Sequence, residues 1–334
     1  MNILLIVCDA LRYDHVNDEY MPNLMKLVER GSSFRFCLSM GVNTLGSIPY
    51  ILCSKNIGKV EENSLELLES NFIKPLRTAG FTTAAIHSNI LLTQRLSFKQ
   101  MFDFEVDLLS RKVGERKMAL RNALRKTGIW KRTRDLRAKV REEANAYRRA
   151  EATVEACQSW IEEQDRPWFL WAHLMDTHIP YWPEGYEDFV SYERMKEVNE
   201  RILRNIHGGL ELTEEDKKEA MILYGEEVRY MDRWLAYFIK EQSEETLVIV
   251  TSDHGDEFGE YGAYSHSWKT HGRIPQLLHV PLIFIGPGVQ AQVLDDYVCH
   301  LDIAPTILDF AGLDEKIGYG KSLRPILEGG VSFS

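Results

Sequence analysis

Residues 2–15 read "NILLIVCDALRYDH": an unbroken apolar run from Ile3 to Cys8, then an aspartate. A half-exposed strand would alternate apolar and polar residues. A continuous run fits a central parallel strand buried on both faces. Asp9 then stands at the carboxyl end of that strand, the edge where ligands gather in open α/β sheets. Taken alone, Asp9 could equally cap a following helix.

Working outward, "MPNLMKLVERGSSF" (21–34) reads as a helix that starts at Pro22 and stops at Gly31. Further strands are expected at "FTTAAIHSN" (81–89), "WFLWAHLMD" (168–176), "LVIVTSDHGD" (247–256) and "VPLIFIGPG" (280–288). Strands alternating with helical patterns predict a layered α/β/α fold with a mostly parallel central sheet, here a single domain over 1–334. Three strand ends then bring Asp9, Asp176 with His178, and Asp253 with His254 to one edge. Each has an ordinary structural explanation when considered singly. Together, aspartates and histidines from several strand ends are what a divalent metal needs.

The composition fits an ordinary folded protein: 334 residues, 44% hydrophobic and 27% charged. No apolar stretch is long enough to span a bilayer. The first strand begins at residue 2 without a basic stretch before it, and the five scattered cysteines form no CxxC pair. A cytoplasmic location is therefore expected. The net charge of −10 is unevenly laid out: residues 110–150 hold 15 Lys/Arg against 4 Asp/Glu, so the remainder carries −21. With its spaced apolar residues, 105–150 reads as a basic helical insertion. Three roles suit it: a solvated lid, a surface recruiting an anionic substrate, or a membrane-surface contact through 111–149. No recognition module for sequence-specific nucleic acid is present.

Several motifs in order carry a family resemblance. "NILLIVCDALRYDH", "MPNLMKLVERGSSFRFCLS", "TSDHGDEFGEYG" (251–262), "HGRIPQLLHVPLIFIGPG" and "HLDIAPTILDFAG" together resemble the alkaline phosphatase/sulfatase superfamily, in its sulfatase-like branch. The resemblance places "GVNTLGSIPYILCSKN" (41–56) at the segment holding the nucleophile, with Thr44 in that position and Ser47 at the family serine. Read without it, the two hydroxyls could simply cap a helix. It implies the metal ligands Asp9, Thr44, Asp253 and His254. Asp176, His178 and His271 are candidates for a second ion, and His178 and His271 could instead touch the leaving group or substrate oxygens. Arg12, Ser47 and Lys269 are the candidate substrate contacts, although Arg12 could equally pair with an acid. The ion is expected to be Zn or Mn, with Mg or Ca as alternatives, and one or two ions in number.

Four departures matter. Sulfatases convert Cys or Ser to formylglycine, which threonine cannot give. Ile48 stands at the signature arginine, Gly46 at its proline, and Cys8 at the first of two paired aspartates. These changes point to metal-dependent hydrolysis or transfer of a phosphate mono- or diester through phospho-Thr44. A small-molecule, lipid or polyanionic phosphate ester is the expected substrate. The alternatives are a sulfuric-ester hydrolase and a catalytically silent relative that binds an anion or a partner.

Overall fold

A computed structural model describes residues 1–58, 62–109, 147–261, 263–266 and 274–330. The run "ILLIVC" forms strand β1 (Asn2–Cys8), and its side chains divide cleanly between two cores. Leu4, Ile6 and Cys8 face one apolar cluster, while Ile3, Leu5 and Val7 face the other; all six are fully buried. Burial on both faces requires helices on both faces, which gives the three layers. Each such side chain contributes about 1.5–3 kcal/mol by leaving water.

Among the described residues the sheet has nine strands. β3 (Thr82–His87), β4 (Phe104–Asp107), β5 (Trp168–Leu174) and β6 (Thr246–Ser252) join β1 in the order β4-β3-β5-β1-β6, all parallel. Beyond β6 the pattern changes. The expected strand at 280–288 breaks at Pro281 into β7 (His279–Val280) and β8 (Leu282–Ile285), and β8 runs antiparallel to β6. Three strands were not foreseen: β4, β2 (Ser32–Leu38), antiparallel to β7 and β8, and β9 (Gln292–Cys299), parallel to β2. The charged pair Asp295 and Asp296 masks β9 in the sequence.

Helix α1 (Pro22–Val28) follows β1, and α2 (Thr44–Cys53) follows β2. A 27-residue helix, Glu214–Lys240, about 40 Å long, braces the face opposite α2. It begins with a capping box in which Thr213 and Asp216 satisfy each other's backbone N–H groups. No helix among the described residues is long and apolar enough to cross a membrane. Most of the basic insertion expected at 105–150 lies outside the described residues; those at its two ends form β4 and the start of the helix Ala150–Ile161.

Candidate active site

Asp9, His173 and Asp253 belong to three adjacent strands, β1, β5 and β6, at their carboxyl ends. All three side chains are completely buried, and one ligand atom from each lies within 4.8 Å of the others. The backbone turns sharply after Asp9: Ala10 takes a left-handed conformation with φ of 58°, which is strained for a residue with a Cβ. The turn is held from outside. Ala10 N–H donates to Asp253 Oδ1 at 3.1 Å, Leu11 N–H to Ser252 Oγ at 3.0 Å, and Arg12 N–H to the Tyr224 hydroxyl at 2.9 Å.

His254 follows Asp253 and is also fully buried. Its Nδ1–H donates to Gly255 O at 2.7 Å, leaving Nε2 as a lone pair. That Nε2 lies 3.4 Å from Asp253 Oδ2 and 3.8 Å from Asp9 Oδ1. Among the described residues, none of these three buried atoms has a hydrogen-bond partner. Orphaned buried polar atoms are costly. Two carboxylate oxygens and an imidazole nitrogen converging on one point are a donor set for a divalent cation. The electrostatics agree. Burial and the neighbouring Asp9 charge push the Asp253 carboxyl up to about 7. Burial would raise Asp9 too, but His178, His173 and His254 hold it below the ordinary carboxylate range. Burial and His266 lower His254 to about 4, which keeps it neutral and able to ligate.

Thr44 is the first residue of α2, 3% exposed, with Oγ1 3.4 Å from Asp9 Oδ2. Neither hydroxyl of this segment caps the helix. Asn43 does so, its Oδ1 accepting from Gly46 N–H at 2.9 Å. Ser47 Oγ donates back to Asn43 O at 3.0 Å inside the first turn, which removes it from substrate contact. Gly41 is required there, because a Cβ would stand 2.3 Å from the Gly46 carbonyl carbon.

Other expected residues are placed differently. Asp176 stands apart from the Asp9 group: its Oδ1 accepts from Ala150 N–H at 3.1 Å and faces Arg149 Nε at 3.5 Å, while its buried Oδ2 has no hydrogen-bond partner among the described residues. Arg12 is committed to Asp14, Glu260 and the Asp256 carbonyl, so the ion-pair reading replaces substrate contact. His178 stays at the site, in a row of imidazoles. Its ring lies 4.9 Å from His266, which lies 4.4 Å from His254. Burial lowers His178 to about 4. Lys269 and His271 lie outside the described residues.

Four residues at the site, His173, Asn89, His266 and Tyr147, carried no sequence signal strong enough to single them out. His173 sits inside an apolar strand, and Asn89 lies two residues past β3. His266 has no fixed spacing from His254; its Nδ1 meets Asp256 Oδ1 at 3.2 Å, and Tyr181 donates to Asp256 Oδ2 at 3.0 Å. Against burial, Asp256 raises the His266 pKa. Tyr147 packs edge-on against His178 at 4.9 Å.

The profile described as Sulfatase matches residues 1–313. The choline-sulfatase of Rhizobium meliloti is 27% identical over 193 residues, covering 50% of this chain and 37% of that protein. The chain thus spans little more than a third of that relative. Among solved structures, the phosphonate monoester hydrolase of Silicibacter pomeroyi superposes with a TM-score of 0.63 at 21% identity, over 100% of this chain and 78% of that one. The lipooligosaccharide phosphoethanolamine transferase A of Neisseria meningitidis gives 0.67 at 15%, over 92% and 54%.

Proposed function

The chain belongs to the sulfatase family of the alkaline phosphatase/sulfatase superfamily, and on that premise we propose that it is a metal-dependent enzyme that transfers a phosphoryl group from a phosphate mono- or diester to Thr44. The observation that carries this reading is the nucleophile position. Thr44 opens α2 beside Asp9, Asp253 and His254, and threonine gives no formylglycine.

Members of this superfamily bind divalent metal. Asp9 Oδ1, Asp253 Oδ2, His254 Nε2 and Thr44 Oγ1 would hold the ion here. When bound, it would polarise the ester oxygens and favour the deprotonated Thr44 hydroxyl. The residues of this chain supply the rest. With the Gly46 N–H taken by the Asn43 cap, the N–H groups of Thr44 and Leu45 at the start of α2 would favour the anionic phosphoryl oxygens. Thr44 Oγ1 bonds to phosphorus as the bond to the leaving oxygen breaks. His266, whose proton affinity Asp256 raises, gives the departing oxygen its proton. Water, or an acceptor alcohol, then attacks phospho-Thr44, which returns the free hydroxyl. Positioning and charge neutralisation account for most of the rate in such transfers.

The test is a metal-by-substrate assay with p-nitrophenyl phosphate, bis(p-nitrophenyl) phosphate, a phenylphosphonate ester and p-nitrophenyl sulfate, repeated with Thr44→Ala. Metal-dependent phosphoesterase activity lost in Thr44→Ala, with a phosphopeptide containing Thr44 recovered from acid-quenched wild type, is expected. Full activity in Thr44→Ala would sink the covalent scheme. The likeness to a choline-sulfatase over half of the chain favours sulfuric-ester hydrolysis as the second reading. Sulfate turnover exceeding phosphate turnover would put it first.

A further inference from the structure

The two oxygens of Asp9 have unequal surroundings. Oδ2 lies 3.0 Å from His173 Nε2, 2.9 Å from Asn89 Nδ2 and 3.4 Å from Thr44 Oγ1. Oδ1 is buried, has no hydrogen-bond partner among the described residues, and faces Nε2 of His254. Asp253 shows the same division: its Oδ1 accepts from two backbone N–H groups, Ala10 at 3.1 Å and His254 at 2.9 Å, while Oδ2 has no backbone donor among the described residues. Asp253 is held by backbone. Asp9 depends on two side chains from neighbouring segments of the sheet.

We propose that His173 and Asn89 are positioning residues that lock Asp9 into single-oxygen coordination, reserving Oδ1 for the ion and withholding Oδ2. The proposal rests on reading the site as a divalent-metal centre. A carboxylate free to rotate about Cβ–Cγ can offer either oxygen or both; two N–H donors on one oxygen remove that freedom. Both donors are themselves fixed. Asn89 Oδ1 accepts from Leu91 N–H at 3.0 Å, capping the short helix Ile90–Gln94, so its amide nitrogen must face Asp9. The His173 ring is fully buried and parallel to that of Trp171, two residues earlier on β5, with 8° between planes. A ring nitrogen of His173 also lies within 4.8 Å of an Asp253 carboxylate oxygen, near enough to be a ligand itself. Its 3.0 Å approach to Asp9 Oδ2 suits an N–H donor. The residues that orient ligands control affinity strongly, and their loss weakens binding about 10–100-fold.

The test is calorimetric titration of the chelator-stripped full chain with Zn²⁺ and, separately, Mn²⁺. The variants are His173→Ala, His173→Gln and Asn89→Ala, with folding checked by circular dichroism. Both alanine variants should bind about 10–100-fold more weakly than wild type. His173→Gln, which keeps a donor, should recover most of the loss and leave the visible spectrum of the Co²⁺-loaded protein unchanged. Wild-type affinity in both alanine variants would overturn the proposal while leaving the metal centre standing. A His173→Gln variant as weak as His173→Ala, with an altered Co²⁺ spectrum, would overturn it by making His173 a ligand. If His173→Ala does not fold, Asn89→Ala and His173→Gln decide by the same criteria. Wild type that binds neither ion would remove the metal reading itself.

Discussion

Thr44 and Gly255 show how single residues determine this site. Thr44 is the N1 residue of α2 and makes no cap, so its hydroxyl is turned to the Asp9 carboxylate instead of the helix backbone. Thr44→Ser keeps an oxygen at the same place. It should retain turnover within about tenfold, whereas Thr44→Ala should lose about 10³-fold or more, read as kcat on the best phosphate ester. Gly255 sits where the chain behind His254 passes under the 274–278 segment. A Cβ there would stand 1.8 Å from Gln276 O, far inside contact distance. Gly255→Ala should therefore cost about 1–3 kcal/mol in denaturant unfolding and displace His254, which weakens metal binding as well. Asp9, Asp253 and His254 were readable from sequence because strand-end position and chemistry coincided in them. Arg12 and Ser47 misled because a donor that could reach a substrate is indistinguishable, in sequence, from one already paired inside the fold. His173 was hidden by the apolar strand around it, and Asn89 by its place in an ordinary loop.

At the scale of elements, β1 was legible because burial on both faces forbids alternation, and the same holds for β5 and β6. β2 and β9 were not: each leaves much of one face exposed and carries charge, so its composition is that of a loop. The antiparallel β8 could not be foreseen, because direction depends on the connection and not on the strand's own residues. The long helix Glu214–Lys240 makes its own prediction. Its cap residue Asp216 is buried and bonded to Thr213, Arg194 and Arg201. Burial works against the charge, but these donors hold its pKa at about 2, below the ordinary 3.8. A depressed carboxylate stabilises the fold above its unfolded pKa, and that contribution fades as pH falls from about 4 towards 2. Asp216→Asn should lower Tm at pH 7, at a cost of about 1 kcal/mol for the cap. It should also flatten the fall of Tm between pH 4 and pH 2. An acid limb as steep as wild type would count against this assignment.

For the whole molecule, the metal centre proposed above would link ion binding to folding through its buried carboxylates. Asp9 and Asp253 are like charges in the interior, and a cation between them relieves that repulsion only in the folded state. Removing metal with a chelator should lower Tm, and returning it should restore Tm in proportion to free ion. A site at 100 times its Kd gives about 2.7 kcal/mol. No change in Tm on chelation would mean that the ion contributes nothing to the fold.

The central place of β1 has one more consequence. It is hydrogen-bonded on both sides, to β5 and to β6, along nearly its whole length. Those three strands carry Asp9, His173 and Asp253. In native-state hydrogen exchange, such doubly paired central strands open only with the global transition. The amides of Ile3–Cys8, Phe169–Leu174 and Leu247–Ser252 should therefore form one slowest-exchanging group. On gradual denaturation the ligand framework would then persist until the molecule unfolds as a whole, so loss of metal and loss of fold should be a single event.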